Sequence, residues 1–103
     1  MEPLDLGNGH TLRFVGWGPD RELNPQYAHL PAVGKFGAIV THLKPDGSEC
    51  AGYITFEGTV ARYLGRSPVW TVREWEPLTL SPSILCKECG DHGFIHEGKW
   101  ESV

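Results

Sequence analysis

The stretch Cys86-Lys87-Glu88-Cys89-Gly90-Asp91-His92 places two thiols on one tight turn, with a glycine directly after the second and a histidine close behind. Thiolate sulfur and imidazole nitrogen at such spacing are ligands of tetrahedral zinc. A Cys-x-x-Cys-Gly turn aims both sulfurs at one ion, and Gly90 lets backbone amides approach them. Such a knuckle supplies only two ligands. Cys50, the one other cysteine of the chain, is the natural third. For the fourth, His92, His42 and His96 compete. His92 is favoured because Gly90 and Gly93 flank it and let the chain curl back. His42 shares a face with Cys50 if the hairpin described below holds its register. His96 is weakest, since four residues of strand span about 13 Å. The expected set around Zn2+ is therefore Cys50, Cys86, Cys89 and His92.

Other chemistries fit these residues less well. A redox Cys-x-x-Cys sits at a helix N-terminus that lowers the thiol pKa, and glycines with an aspartate oppose a helix here. Haem attachment wants histidine where Gly90 stands. A two-Cys-two-His finger needs about a dozen residues for its recognition helix. Glu88, Asp91 and Glu97 become candidate general bases only if a zinc keeps an open position for water. Three thiolates point instead to a closed structural site. There is no His-Glu-x-x-His and no phosphate loop. The bland alternative leaves the cysteines as small buried hydrophobes and the histidines on the surface. Trp17, Trp70, Trp75 and Trp100 suit core filling better than a binding platform, with at least two expected to be buried.

The elements that must position these groups read as mostly β. Ala38-Ile39-Val40-Thr41-His42-Leu43 and Gly52-Tyr53-Ile54-Thr55-Phe56 flank Lys44-Pro45-Asp46-Gly47-Ser48, whose Pro-Asp-Gly suits a type I turn with a left-handed bulge glycine. That turn pairs Lys44 with Ser48 and sets His42 opposite Cys50 on one face. A one-residue slip separates them. Thr59 to Leu64, closed by Gly65, reads as a short helix. Val69 to Trp75 and Leu78 to Leu80 read as strands. Phe94-Ile95-His96 and Lys99-Trp100 form a last hairpin turning at Glu97-Gly98. In residues 1–35, one strand is expected from His10 to Val15, with loop around it. The fold class is a small antiparallel β domain with one short helix, stabilised by a zinc knuckle, over residues 1–103.

Thirteen glycines and 8 prolines in 103 residues disfavour long helices. A net charge of −4 without a basic run argues against binding held mainly by phosphate contacts. A local face with Arg13, Arg62, Arg66 and Arg73 is the remaining nucleic-acid reading. No apolar run reaches membrane-span length, and Met1-Glu2-Pro3-Leu4-Asp5 lacks the features of a signal peptide. With an odd cysteine count, these features indicate a reducing, cytoplasmic setting.

The segment Glu76-Pro77-Leu78-Thr79-Leu80-Ser81-Pro82-Ser83-Ile84-Leu85-Cys86, continuing through Cys89-Gly90-Asp91-His92-Gly93-Phe94-Ile95 to Gly98-Lys99-Trp100, resembles small proteins common in actinobacteriophages. These resemble in turn a broader bacterial domain family of unknown function. The shared pattern is a Ser-Pro-Ser-[Ile/Leu] strand, a cysteine with a nearby histidine, an apolar strand and Gly-basic-aromatic. The resemblance implies metal ligands from this element and from the earlier hairpin, with Cys89 and His92 best supported. Relatives vary in the preceding cysteine, so His42 is the residue that replaces Cys86 if it is not a ligand. Some members of the broader family resemble companions of bacterial ubiquitin-like conjugation enzymes. The expected function is a non-enzymatic, phage-encoded zinc protein that binds a host or phage protein in the bacterial cytoplasm. The alternatives are a nucleic-acid-binding zinc protein and a zinc-dependent hydrolase.

Overall fold

The computed structural model describes residues 3–20 and 22–103. Nine strands appear among them: β1 (Leu4–Gly7), β2 (His10–Trp17), β3 (Val33–Leu43), β4 (Glu49–Thr55), β5 (Thr71–Trp75), β6 (Leu78–Ser81), β7 (Ile84–Leu85), β8 (His92–His96) and β9 (Lys99–Ser102). One short α-helix, α1 (Thr59–Tyr63), joins β4 to β5. The strands form three sheets, in the orders β1-β2-β3-β4, β5-β6 and β7-β8-β9, with every pairing antiparallel. The fold is therefore mostly β, as composition predicts, with its strands divided among three sheets.

The β3–β4 hairpin has the register that its turn dictates. Lys44 N–H donates to the Ser48 carbonyl at 2.8 Å, Gly47 takes the left-handed φ of 86°, and His42 faces Cys50. The last hairpin turns through Glu97 and Gly98, both at positive φ, which is the two-residue geometry matched to strand twist. The N-terminal part departs from expectation. Leu4–Gly7 is a strand, and β2 runs on to Trp17. The cause is burial: Leu6 and Leu12 lie on the core side of the first sheet, 1% and 0% exposed. Burying such a leucine contributes about 1.5–3 kcal/mol, which adds to the pairing with β2 in holding this strand.

The main core joins Leu12, Ala38, Val40 and Ile54 of the four-stranded sheet to Leu78, Leu80, Ile84, Ile95 and Trp100 of the two smaller ones. A satellite cluster of Leu30, Phe36, Val60 and Ala61 seats α1. Of the four tryptophans Trp100 alone is fully buried, fewer than the two expected, and Trp75 is exposed. Trp17 and Trp70 are half-buried because they pack at sheet margins instead of between sheets.

Candidate metal centre and serine–histidine pair

Two groups of chemistry-bearing side chains meet the β7–β8 hairpin from opposite sides. In the first, His42 and Cys50 come from facing positions on β3 and β4, while Cys86 and Cys89 come from the turn after β7. One ligand atom from each lies within 4.8 Å of all the others. Cys50 Sγ is 3.3 Å from Cys86 Sγ, and His42 Nε2 is 2.9 Å from Cys89 Sγ. A tetrahedral ion with M–S near 2.3 Å and M–N near 2.0 Å places its ligand atoms about 3.5–3.8 Å apart. The four groups therefore fit a metal ion with movements of a few tenths of an ångström to about 1 Å. His42 and Cys50 are buried and Cys89 is exposed, so the site opens toward the knuckle.

The electrostatics of the thiols favour a cation. Cys50 is pushed up to about 12, first by its hydrogen bond with Cys86, then by burial and by Glu88, whose Oε2 accepts from Cys50 Sγ at 3.4 Å. Cys86 is held below the ordinary thiol range, chiefly by a backbone hydrogen bond from Cys89. Cys50 thus holds its proton more tightly than an ordinary thiol, and Cys86 less tightly. A bound cation removes that difference, because it lets all the thiols ionise together. Beyond the sulfurs, the Asp91 carboxylate accepts from His10 Nε2 at 2.6 Å and faces His42 Nδ1 at 3.9 Å. Carboxylates commonly stand on this side of a ligating imidazole. His10 lies between the Trp100 ring, stacked at 4.1 Å, and the His42 ring at 5.3 Å.

His92 stands outside this cluster, and its Nε2 lies 2.8 Å from Ser83 Oγ. The pleat of the hairpin explains the separation. Cys86 N–H donates to the Asp91 carbonyl, and Leu85 pairs with His92 in the neighbouring register position. Side chains alternate along both strands. Cys86 and Asp91 therefore face the metal side, while Ser83, Leu85 and His92 share the opposite face. His96 is remote from both groups and sits 3.0 Å from Glu101. Among the described residues no side-chain hydrogen bond reaches His92 Nδ1; Asp91, its sequence neighbour, is committed to His10. Ser83 escaped sequence reasoning because a lone serine before a two-residue strand has no motif. The Ser-Pro-Ser-Ile segment, shared with the proteins that the chain resembles, was the one available signal.

The family model described as bacterial ubiquitination-like system serine protease (BubE) matches residues 19–103. No curated protein and no solved structure gives a significant match. The family match spans most of the chain, and the chain belongs to this bacterial family. The expectation of a non-enzymatic zinc module is thereby overturned, since the family is described as a protease. The cysteines drew the sequence reading toward the metal and away from the serine. No helix among the described residues is long and apolar enough to cross a membrane.

Proposed function

We propose that, as a member of the bacterial ubiquitination-like system serine protease family, this chain cleaves a protein substrate with Ser83 as nucleophile and His92 as general base. The observation that carries this reading is the 2.8 Å approach of Ser83 Oγ to His92 Nε2, on a face that opens to solvent through exposed Leu85 and Phe94. Serine is a weak nucleophile until an adjacent base takes its proton. In that role His92 carries its own proton on Nδ1 and accepts the Ser83 proton at Nε2. Oγ bonds to the scissile carbonyl carbon, and His92 passes the proton to the leaving amine as the C–N bond breaks. Water then enters, giving one proton to His92 Nε2 and its oxygen to the acyl carbon, and Ser83 recovers its proton when the ester bond breaks.

His42, Cys50, Cys86 and Cys89 would hold zinc, and four protein ligands make it a closed structural site that fastens the hairpin to the sheet. The donor set supports this identity: three thiols and one imidazole suit zinc better than a hard cation. The protein partner under this reading is the substrate itself.

The test is labelling with a fluorophosphonate, mapped by mass spectrometry. Ser83 is expected to carry the adduct, Ser83→Ala to abolish it, and His92→Ala to slow it by about 10²–10⁴. Full-rate labelling of His92→Ala, or an adduct on another serine, would refute the pair.

A further inference from the structure

The register of the four-stranded sheet sets three chemistry-bearing residues in one row. His10 on β2 faces His42 on β3, and His42 faces Cys50 on β4. Directly opposed residues point to the same face of a sheet. The row therefore extends one strand beyond the four ligands already described, to His10. That imidazole is 5% exposed and stacks on the Trp100 ring. With His42 and Asp91 it forms a second group, in which one ligand atom from each residue lies within 4.8 Å of the others.

The hydrogen bonding of His10 is that of a ligand. Its Nδ1 lies 2.8 Å from the Asn8 carbonyl, which only accepts, so the Nδ1 proton is committed there. Asn8 is fixed in turn. It holds a left-handed φ of 53°, and its side-chain amide donates to the Trp100 carbonyl at 3.0 Å. A backbone carbonyl on the far nitrogen is the usual way to aim the lone pair of a metal-binding imidazole. Nε2 is thereby aimed at the Asp91 carboxylate, 2.6 Å away. Two acceptors that close need a cation between them. A proton can serve, and a metal ion can take its place. His42 completes the group with Nδ1, 3.9 Å from the same Asp91 oxygen, while its Nε2 faces Cys89.

We propose that His10 Nε2, His42 Nδ1 and Asp91 form a second metal site, for a zinc-like divalent ion, bridged to the Cys-rich site through the His42 ring. Two imidazole nitrogens and one carboxylate suit zinc and its neighbours in the first transition row. Ligand atoms at about 2.1 Å in tetrahedral array stand about 3.4 Å apart. The His10–Asp91 contact must then open by about 0.8 Å and the His42–Asp91 contact close by about 0.5 Å. Asp91, with its side chain 26% exposed, has room for that swing. An open cavity of about 430 Å³, lined by His42, Pro45, Gly90 and Asp91 among others, gives the ion a path from solvent. Binding releases to water the proton shared by His10 and Asp91 and the one on His42 Nδ1. Three protein ligands leave a position for water, unlike the four that close the first site. The proposal rests on His42 being a ligand of that first site, and the experiment separates the two.

The test is a stepwise Co2+ titration of the metal-free whole chain, followed by absorption. The first equivalent is expected to bring thiolate-to-cobalt charge-transfer bands, and the second to add visible bands with no further charge transfer. Zinc loading should accordingly end at about two ions per chain by mass spectrometry. His10→Gln and the isosteric Asp91→Asn should each weaken the second equivalent at least about tenfold and leave the charge-transfer bands of the first in place. A chain that binds one ion only, or a second ion held as tightly by either variant, would overturn the second site and leave a proton between His10 and Asp91. Absence of charge transfer at the first equivalent would overturn the Cys-rich site itself, and the His42 bridge with it.

Discussion

Gly93 sits between His92 and Phe94 on β8, and its lack of a side chain lets the buried Trp100 indole lie against the strand. A Cβ at Gly93 would stand 2.6 Å from the Glu101 carbonyl oxygen, 2.6 Å from Trp100 Cε2 and 2.7 Å from Cζ2. Ordinary contact begins near 3.4 Å, so the indole must retreat by most of an ångström. It has nowhere to go, being 2% exposed and stacked on His10, whose Nε2 is in turn held by Asp91 at 2.6 Å. Overpacking of this kind costs about 1–3 kcal/mol, and a rigid neighbour on one side with backbone on the other puts Gly93→Ala at the upper end. At about 4–8 °C per kcal/mol for a domain of this size, the melting temperature should fall by roughly 12–24 °C. Thermal unfolding followed by circular dichroism measures this directly, with Gly52→Ala as the comparison because a Cβ there meets open space. If Gly93→Ala melts within about 2 °C of the unsubstituted chain, the close approach of Trp100 to β8 is not a constraint and the packing argument fails.

Two further outcomes separate the two centres chemically. His42→Ala should lower bound metal well below one equivalent, whereas His92→Ala should keep it and lose Ser83 labelling. Metal retained by the first variant and lost by the second would place His92 in the ligand set instead. Metal affinity should also rise with pH. Cys50 is pushed up to about 12 in the metal-free chain, so at neutral pH its proton must leave when the ion binds. Each proton released raises apparent affinity about tenfold per pH unit. Competition titrations across neutral pH that show a flat dependence would contradict a Cys50 thiolate ligand.

The parts of this molecule that were legible in its sequence are those fixed by local chemistry. Pro45-Asp46-Gly47 determines a turn, the turn determines a register, and the register brings His42 opposite Cys50. The helix after Gly58 and the hairpin at Glu97-Gly98 follow the same logic. Leu4–Gly7 was not legible, because its pairing with β2 depends on core contacts made by Leu6 that no local signal announces. The position of His92 was harder still. Proximity to the knuckle in sequence suggested a ligand, yet alternation along β8 decides the face, and that alternation is set by the Cys86–Asp91 hydrogen bond. Ser83 depended on the same bond and lay one step further from any recognisable spacing.

This dependence connects the two centres. β7 has only two residues, and so short a hairpin cannot hold its own register in water. Its turn is tied by Gly90 N–H to the Cys86 carbonyl and by Cys86 N–H to the Asp91 carbonyl, both at 2.7 Å. Cys86 and Cys89 in turn reach Cys50 and His42, which belong to the long, well-paired strands β3 and β4. An ion binding all four would transfer the register of the large sheet to the small hairpin. A slip of one residue would carry His92 to the opposite face and break its contact with Ser83. Under this reading a bound metal would support proteolysis through the hairpin's register, without touching substrate. It would hold Leu85 outward, on the face shared with Ser83, and Cys86 beyond the end of β7 inward, where it meets its fellow ligands. The strand pair that presents Ser83 and His92 is anchored through its reverse face.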